Sequence, residues 1–361
     1  MSRNSPKWLY DENGYINMEH LIYGTKTWRV MVYGGRGSGK TYGAFKSILE
    51  NGSVFLYLRR TDTQYKIIAN KETSPIGVLN RDMGWSYYPY RENDKISAVY
   101  KTIENEDGKQ VPEGKPVGYF SSVLSFFNVR GVDLSRVEVI VFDEFIAESH
   151  VQKKSGEFQA LLNLYETVNR NRELKGGNPV KLVMLANTDS ISNPYFSGWH
   201  LINQILRNKR NNVDYYIDPK GNYTLVATDN SPISAKKAET GFYQELKGSE
   251  FYNMAIDSGL DYKAGKNIKS CPIKEYTPLY TMGELTVYRH KSRKELYITE
   301  HRAGHAPYFE DTLKGHKGLD TFDRRLTVRM YCNFEDGAGW KLYFEKPENE
   351  IYFQTWYGLT K

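Results

Sequence analysis

The chain has 361 residues, 40% of them hydrophobic and 25% charged, with a formal net charge of +6. Two cysteines, Cys271 and Cys332, exclude a disulfide framework, and the lack of a charged-then-apolar leader points to the cytoplasm. No apolar run nears the roughly 18 residues of a membrane-spanning helix, and the mean hydropathy of −0.62 is that of a soluble chain. This length predicts two domains, at 1–200 and 261–361, joined by a partly helical linker at 201–260.

After a polar lead-in with a helical reading around Met18 to Tyr23, the apolar stretch Trp28 to Tyr33 reads as a strand. Directly behind it stands Gly34-Gly35-Arg36-Gly37-Ser38-Gly39-Lys40-Thr41, a complete G-x-x-x-x-G-K-T loop. Glycines at this spacing let the backbone curl so that successive N–H groups face the phosphates of a nucleotide. Lys40 adds a point charge for the β- and γ-oxygens, Thr41 a hydroxyl for Mg²⁺, and the helix that follows its positive dipole end. The competing reading is a chance glycine-rich turn. The strand before the loop and the helical run Tyr42 to Leu49 after it weigh against that, and the expected cofactors are ATP and Mg²⁺.

Gly52 to Leu58 predicts the next parallel strand, ending in Arg59-Arg60, and the segments 95–100 and 116–120 predict hairpin strands around the turn Glu104 to Gly108. Val137 to Phe142 is a short β-branched run typical of a buried parallel strand, and it ends in Asp143-Glu144. That is a Walker B ending: Asp143 is assigned to the metal and Glu144 to the general base that orients water. A surface Asp-Glu pair is the plain alternative, opposed by the phosphate loop upstream. Because switch GTPases and small-molecule kinases usually lack a Glu at this position, the pair favours an ATPase of the motor kind.

Phe158 to Arg172 carries apolar residues at helical spacing and ends in Arg170-Asn171-Arg172. Val180 to Ala186 reads as a third strand, ending in Asn187-Thr188. Asn187 is a candidate γ-phosphate sensor, or else a turn-capping residue. Strand and helix alternate, which predicts an α/β doubly wound, mostly parallel sheet, and Asn187 on the strand after Walker B fits the sensor of the additional-strand (ASCE) P-loop ATPases.

Beyond Phe196 the pattern changes, with a helix expected within 235–257 and strands at 285–289, 295–299, 327–331 and 351–356. Between Lys263 and Arg329 there are 14 basic against 8 acidic residues, interleaved with tyrosines, and Arg324 and Arg325 are candidate nucleic-acid contacts. A solvated β surface is the alternative. His301 and His305 with the two cysteines could suggest zinc, but the intervening Arg302-Ala303-Gly304 argues against the helix such spacing needs.

Taken together, Gly34 to Thr41, Tyr57 to Arg60, Val141 to Phe145, Leu161 to Glu173, Leu185 to Thr188 and Asn193 to Phe196 resemble the genome-packaging ATPases of small protein-primed tailed phages of the Picovirinae type. The likeness is specific over the first 200 residues and poor over the last hundred. It implies a ring, a pentamer in that family, at the portal vertex of a procapsid in the host cell, absent from the mature virion and driving double-stranded DNA inward with a packaging RNA as partner and no membrane. It puts a trans-acting arginine finger at Arg170, with Arg172 as local competitor, and a second trans-acting position at Arg130, where the family has a lysine. It also implies a β-rich, ribonuclease-H-like C-terminal domain that has lost nuclease chemistry. Lys66 and Lys71 are candidates for touching DNA phosphates. Two other readings remain: a terminase large subunit with an active nuclease, and a nucleotide-gated nucleic-acid-binding scaffold.

Overall fold

The computed structural model describes residues 5–126, 132–147, 156–187, 191, 193–249, 252, 267–309 and 340–357. They fall into two compact units, the first drawn from 1–146, 157–189 and 207–260, the second from 147–156, 190–206 and 261–361.

Six strands of the first unit have the β-branched or aromatic runs expected of buried sheet: β1 (Arg29–Gly34), β2 (Phe55–Arg59), β5 (Gln110–Ser122), β6 (Val139–Asp143), β7 (Lys181–Asn187) and β9 (Tyr223–Ala227). These six run parallel to their neighbours in the order β5-β2-β6-β7-β1-β9. An antiparallel meander, β3 (Tyr87–Arg91) and β4 (Ile96–Glu104), extends the sheet beyond β5, and β8 (Tyr215–Ile217) closes the other edge. Every residue of β1 is buried, because helices cover both faces of such a sheet. On one face, helix α1 (Lys40–Glu50) sets Phe45 against Tyr57, Phe55 and Phe120, with ring centres 4.7, 5.5 and 6.2 Å away. Among the described residues, no helix is long and apolar enough to cross a membrane.

Two expectations need correcting. The stretch 201–260, read as a linker, supplies β8 and β9, and β9 pairs with the loop-bearing strand β1. Val226 and Leu225 are buried there, so the segment belongs to the core of the sheet. The helix expected within 235–257 divides into α7 (Pro232–Ala238) and α8 (Gly241–Glu245).

The second unit carries a five-stranded sheet in which β10 (Tyr276–Met282), β11 (Leu285–His290) and β12 (Glu295–Thr299) are antiparallel. β13 (Tyr308–Phe309) runs parallel to β10, and β14 (Lys341–Phe344) parallel to β12. The strand expected at 351–356 is instead part of a helix, Pro347–Tyr357. Proline opens its first turn, with Glu348 and Glu350 near the positive end of the dipole, and these start signals outweigh the β propensity of Ile351, Tyr352 and Phe353. The strand expected at 327–331 lies outside the described residues.

Helix α4 (Glu157–Asn169) is tied to the end of β2 by Arg60, which donates from Nη2 and Nε to Glu157 at 2.6 and 3.1 Å. Both side chains are only 2% exposed. Removing one partner strands a buried charge, so Glu157→Ala is expected to lower unfolding free energy by about 3–5 kcal/mol. Denaturant melts of the purified variant check this, and a loss under 1 kcal/mol would mean the pair contributes no more than a surface bridge.

Candidate nucleotide site

The loop between β1 and α1 sits at the carboxyl end of an interior parallel strand of the sheet. Gly34 (φ 140°), Gly37 (φ 73°) and Gly39 (φ 84°) lie in the region that favours glycine. At Gly34 the need is also steric, since a Cβ would stand 2.3 Å from Thr228 Oγ1. Helix α1 starts at Lys40 with no side chain capping it, which leaves its first N–H groups for an anion. The Lys40 ammonium donates back to the loop, at 3.2 Å to the Gly34 carbonyl, 2.8 Å to Gly35 and 3.2 Å to Ser38 Oγ. Burial lowers its pKa to about 8, against the opposing pull of Asp143 and Asp229 and with help from Lys237 and Arg36.

Asp143 ends β6, and although β7 stands between β6 and β1, its carboxylate reaches the loop. Oδ2 accepts from the Thr41 hydroxyl at 2.8 Å and from the Tyr57 hydroxyl at 2.7 Å, and Oδ1 accepts from the Glu144 N–H at 2.9 Å. Burial first, and the Asp143 charge second, push the Tyr57 pKa well up, so it remains a phenol donor. Glu144 follows in a left-handed conformation, φ 55°, unusual for a non-glycine residue. Its Oε2 is 2.5 Å from Arg59 Nη1 and 3.4 Å from Gln64 Nε2. Burial opposes the Arg59 charge, but Tyr57, Asp143 and Glu144 raise its pKa above the usual value. Asn187 lies in register with Gly34 across β7 and β1, beside the start of the loop.

Thr41 and Asp143, singled out from the sequence, lie within hydrogen-bond distance of each other. Sequence reasoning missed Tyr57, Arg59 and Gln64, whose only signal was their place at the end of β2 and just after it. Arg170, at φ 45°, follows α4 and is exposed, with its Nε donating to the Thr167 carbonyl at 3.3 Å. Arg172 instead donates to the Ser135 carbonyl at 2.6 Å. Lys66 and Lys71 are exposed, and Lys71 Nζ lies 4.0 Å over the Tyr90 ring. Cys271 is buried, while His301 and His305 are exposed outside any helix. Arg130, Arg324, Arg325 and Cys332 lie outside the described residues.

A glycine loop on an interior strand of a large, mostly parallel sheet, with a hydroxyl and a carboxylate converging beside it, defines an α/β protein of the P-loop ATPase type. Within that class, the family model of the podovirus DNA encapsidation protein (Gp16) matches residues 108–268. The DNA packaging proteins of Bacillus phages PZA and phi29 are each 28% identical to the chain over 232 residues, covering 63% of it and 60% of their own length. The matched stretch thus spans less than two thirds of those relatives. The phi28 gp11 DNA packaging motor shares the fold at a TM-score of 0.61 and 18% identity, over 97% of this chain and 99% of that one. The chain is thus similar to podovirus DNA encapsidation proteins over its middle part, and it shares the fold of a phage packaging motor.

Proposed function

We propose that the chain is an ATP-hydrolysing motor that moves viral double-stranded DNA into a procapsid as a homo-oligomeric ring. The observation that carries this reading is the 2.8 Å approach of the Thr41 hydroxyl to the Asp143 carboxylate at the mouth of the loop, with Glu144 next in the chain. Both are hard oxygen donors suited to Mg²⁺, which keeps several of its positions for water and phosphate. When bound, the ion would neutralise charge developing on the β- and γ-oxygens. Thr41 and Asp143 would hold it, and Lys40 would turn from its own loop carbonyls to the phosphates. Glu144 would orient water and accept its proton, once its carboxylate leaves Arg59. Asn187 would read the γ-phosphate. One strand, β7, between the loop strand and the acidic strand supports the additional-strand class.

In a ring at the portal vertex, within the host cell, exposed Arg170 is the finger offered to a neighbouring subunit, because Arg172 is committed to Ser135 of its own chain. Arg130 is the second trans-acting residue, and Lys66 and Lys71 touch DNA phosphates. The C-terminal unit takes the role of a ribonuclease-H-like domain without nuclease activity that docks packaging RNA and capsid, with Arg324 and Arg325 as contacts. The DNA-stimulated ATPase rate of the purified chain tests the whole reading: nucleotide binding without stimulated turnover would favour a scaffold, and metal-dependent plasmid cleavage a terminase nuclease.

Lys40→Ala is expected to weaken ATP binding by at least tenfold, since a charge-assisted contact contributes about 1.5–3 kcal/mol. The wild-type pH profile follows from the lowered pKa of about 8. Affinity should fall as pH rises beyond 8, by up to about tenfold per unit, as the ammonium loses its proton. For folding the sign is opposite. Between about 8 and the ordinary value of 10.5 the unfolded chain holds the extra proton, so this group makes folding more favourable as pH climbs. Titrations of wild type and Lys40→Ala from pH 7 to 9.5 check the binding claim, and identical profiles would remove Lys40 as the cause.

A further inference from the structure

Lys237, on α7, has no role in the reading above, yet it reaches the same loop from a separate helix. Its Nζ donates to the Arg36 carbonyl at 2.5 Å and would stand 2.7 Å from a Cβ added to Gly37. Its charge is also felt at Lys40. Two ammonium groups therefore bear on one short loop, and although the Asp143 and Asp229 carboxylates offset their repulsion at Lys40, a phosphate between the two ammoniums would offset it further.

The helix that carries Lys237 is firmly set. Ser231 caps it, accepting from Ser234 N–H at 3.3 Å, and Pro232 follows at the first helical position. The N-terminal segment packs against the same turn: a Cβ on Gly14 would fall 2.9 Å from Pro232 Cβ, and Lys236 Nζ donates to the Asn13 carbonyl at 3.1 Å. With the backbone held, the flexible four-carbon stem of Lys237 is what can move. A neutral carbonyl is the weaker partner for an ammonium, and a phosphate oxygen within its sweep would replace it.

We infer that Lys237 is a second phosphate-binding lysine of this site, exchanging the Arg36 carbonyl for the terminal phosphate of a nucleoside triphosphate. With a triphosphate in the loop, the N–H groups would face the inner phosphates and Lys40 the β- and γ-oxygens, so a second ammonium entering at Arg36 and Gly37 would meet the outermost phosphate. The inference rests on the reading that the loop binds nucleotide.

The test titrates full-length chain in Mg²⁺ with a fluorescent non-hydrolysable ATP analogue and with the matching ADP analogue. Lys237→Gln is expected to weaken the ATP analogue about tenfold or more and the ADP analogue less than threefold. Lys237→Arg, which keeps the charge, should stay within about threefold of wild type for both. Lys247→Gln, the same charge change at an exposed position further along the chain, controls for net charge and should leave both affinities unchanged. Unaltered binding by Lys237→Gln overturns the inference, and so does an equal loss for both nucleotides, which would put the contact on an inner phosphate. If wild type binds neither analogue, the nucleotide reading itself fails. Thermal melts matching wild type exclude loss of fold in the variants.

Discussion

Glu144→Gln is expected to bind ATP with Mg²⁺ close to wild-type affinity while losing about 10²- to 10⁴-fold in turnover. The amide keeps the shape of the side chain but cannot take a proton from water. The binding groups are elsewhere, in the loop backbone, Lys40, Thr41 and Asp143, so the cradle is untouched. The substitution also removes the carboxylate paired with Arg59 at 2.5 Å, which leaves that guanidinium held by Asp143 and Tyr57 alone on this side of the site. Phosphate release with and without DNA, beside nucleotide titration, reads both halves of the expectation. Hydrolysis near the wild-type rate would show that Glu144 is not the base.

Arg170→Ala should be the most damaging change to the stimulated rate, about 10³- to 10⁵-fold, if its guanidinium is delivered across a subunit boundary to neutralise transition-state charge. Such a residue has a signature that no residue acting within its own subunit shares. Subunits carrying Arg170→Ala retain their own phosphate loop, and subunits carrying Glu144→Gln retain a working finger. Mixed assemblies of the two inactive proteins are therefore expected to recover activity. With ring formation verified, complete absence of recovery would assign Arg170 to its own chain or to no catalytic role. Arg172→Ala should lose its contact to Ser135 and show a stability effect without complementation.

The parts of this site that were legible in the sequence are those whose chemistry fixes residue type and spacing together. Gly34 to Thr41 declares itself because the backbone at positions 34, 37 and 39 lies where glycine is strongly favoured. Asp143-Glu144 declares itself because a fully buried β-branched strand ends there in two acids. What stayed hidden depends on neighbours far along the chain. Tyr57 looks like any strand aromatic until the sheet order sets its hydroxyl 2.7 Å from an aspartate 86 residues away. Lys237 sits in a polar stretch, and nothing local marks it as a partner of Arg36, 201 residues earlier. The strand β9 was lost inside a presumed linker because its five residues, with Tyr223, Thr224 and Ala227 among them, lack a long apolar run. The helix Pro347–Tyr357 was misread for the opposite reason, since the apolar Ile351-Tyr352-Phe353 run outweighed the start signals ahead of it.

The position of β1 inside the sheet, between β7 and β9, has a consequence for how the protein is made. Its two hydrogen-bonding edges are taken by β7, ending at Asn187, and β9, ending at Ala227, so the strand that leads into the phosphate loop leaves the ribosome long before either partner exists. At ordinary synthesis rates, the first partner arrives roughly 8–30 seconds later. Through that interval an apolar strand with two bare edges is a template for mispairing, and contacts so distant in sequence form slowly. A nascent chain stopped before residue 181 would carry every residue of the glycine loop and lack both strands that hold it in place. The ability to hold nucleotide is thus acquired late in translation, although its most recognisable motif is among the first segments to be synthesised.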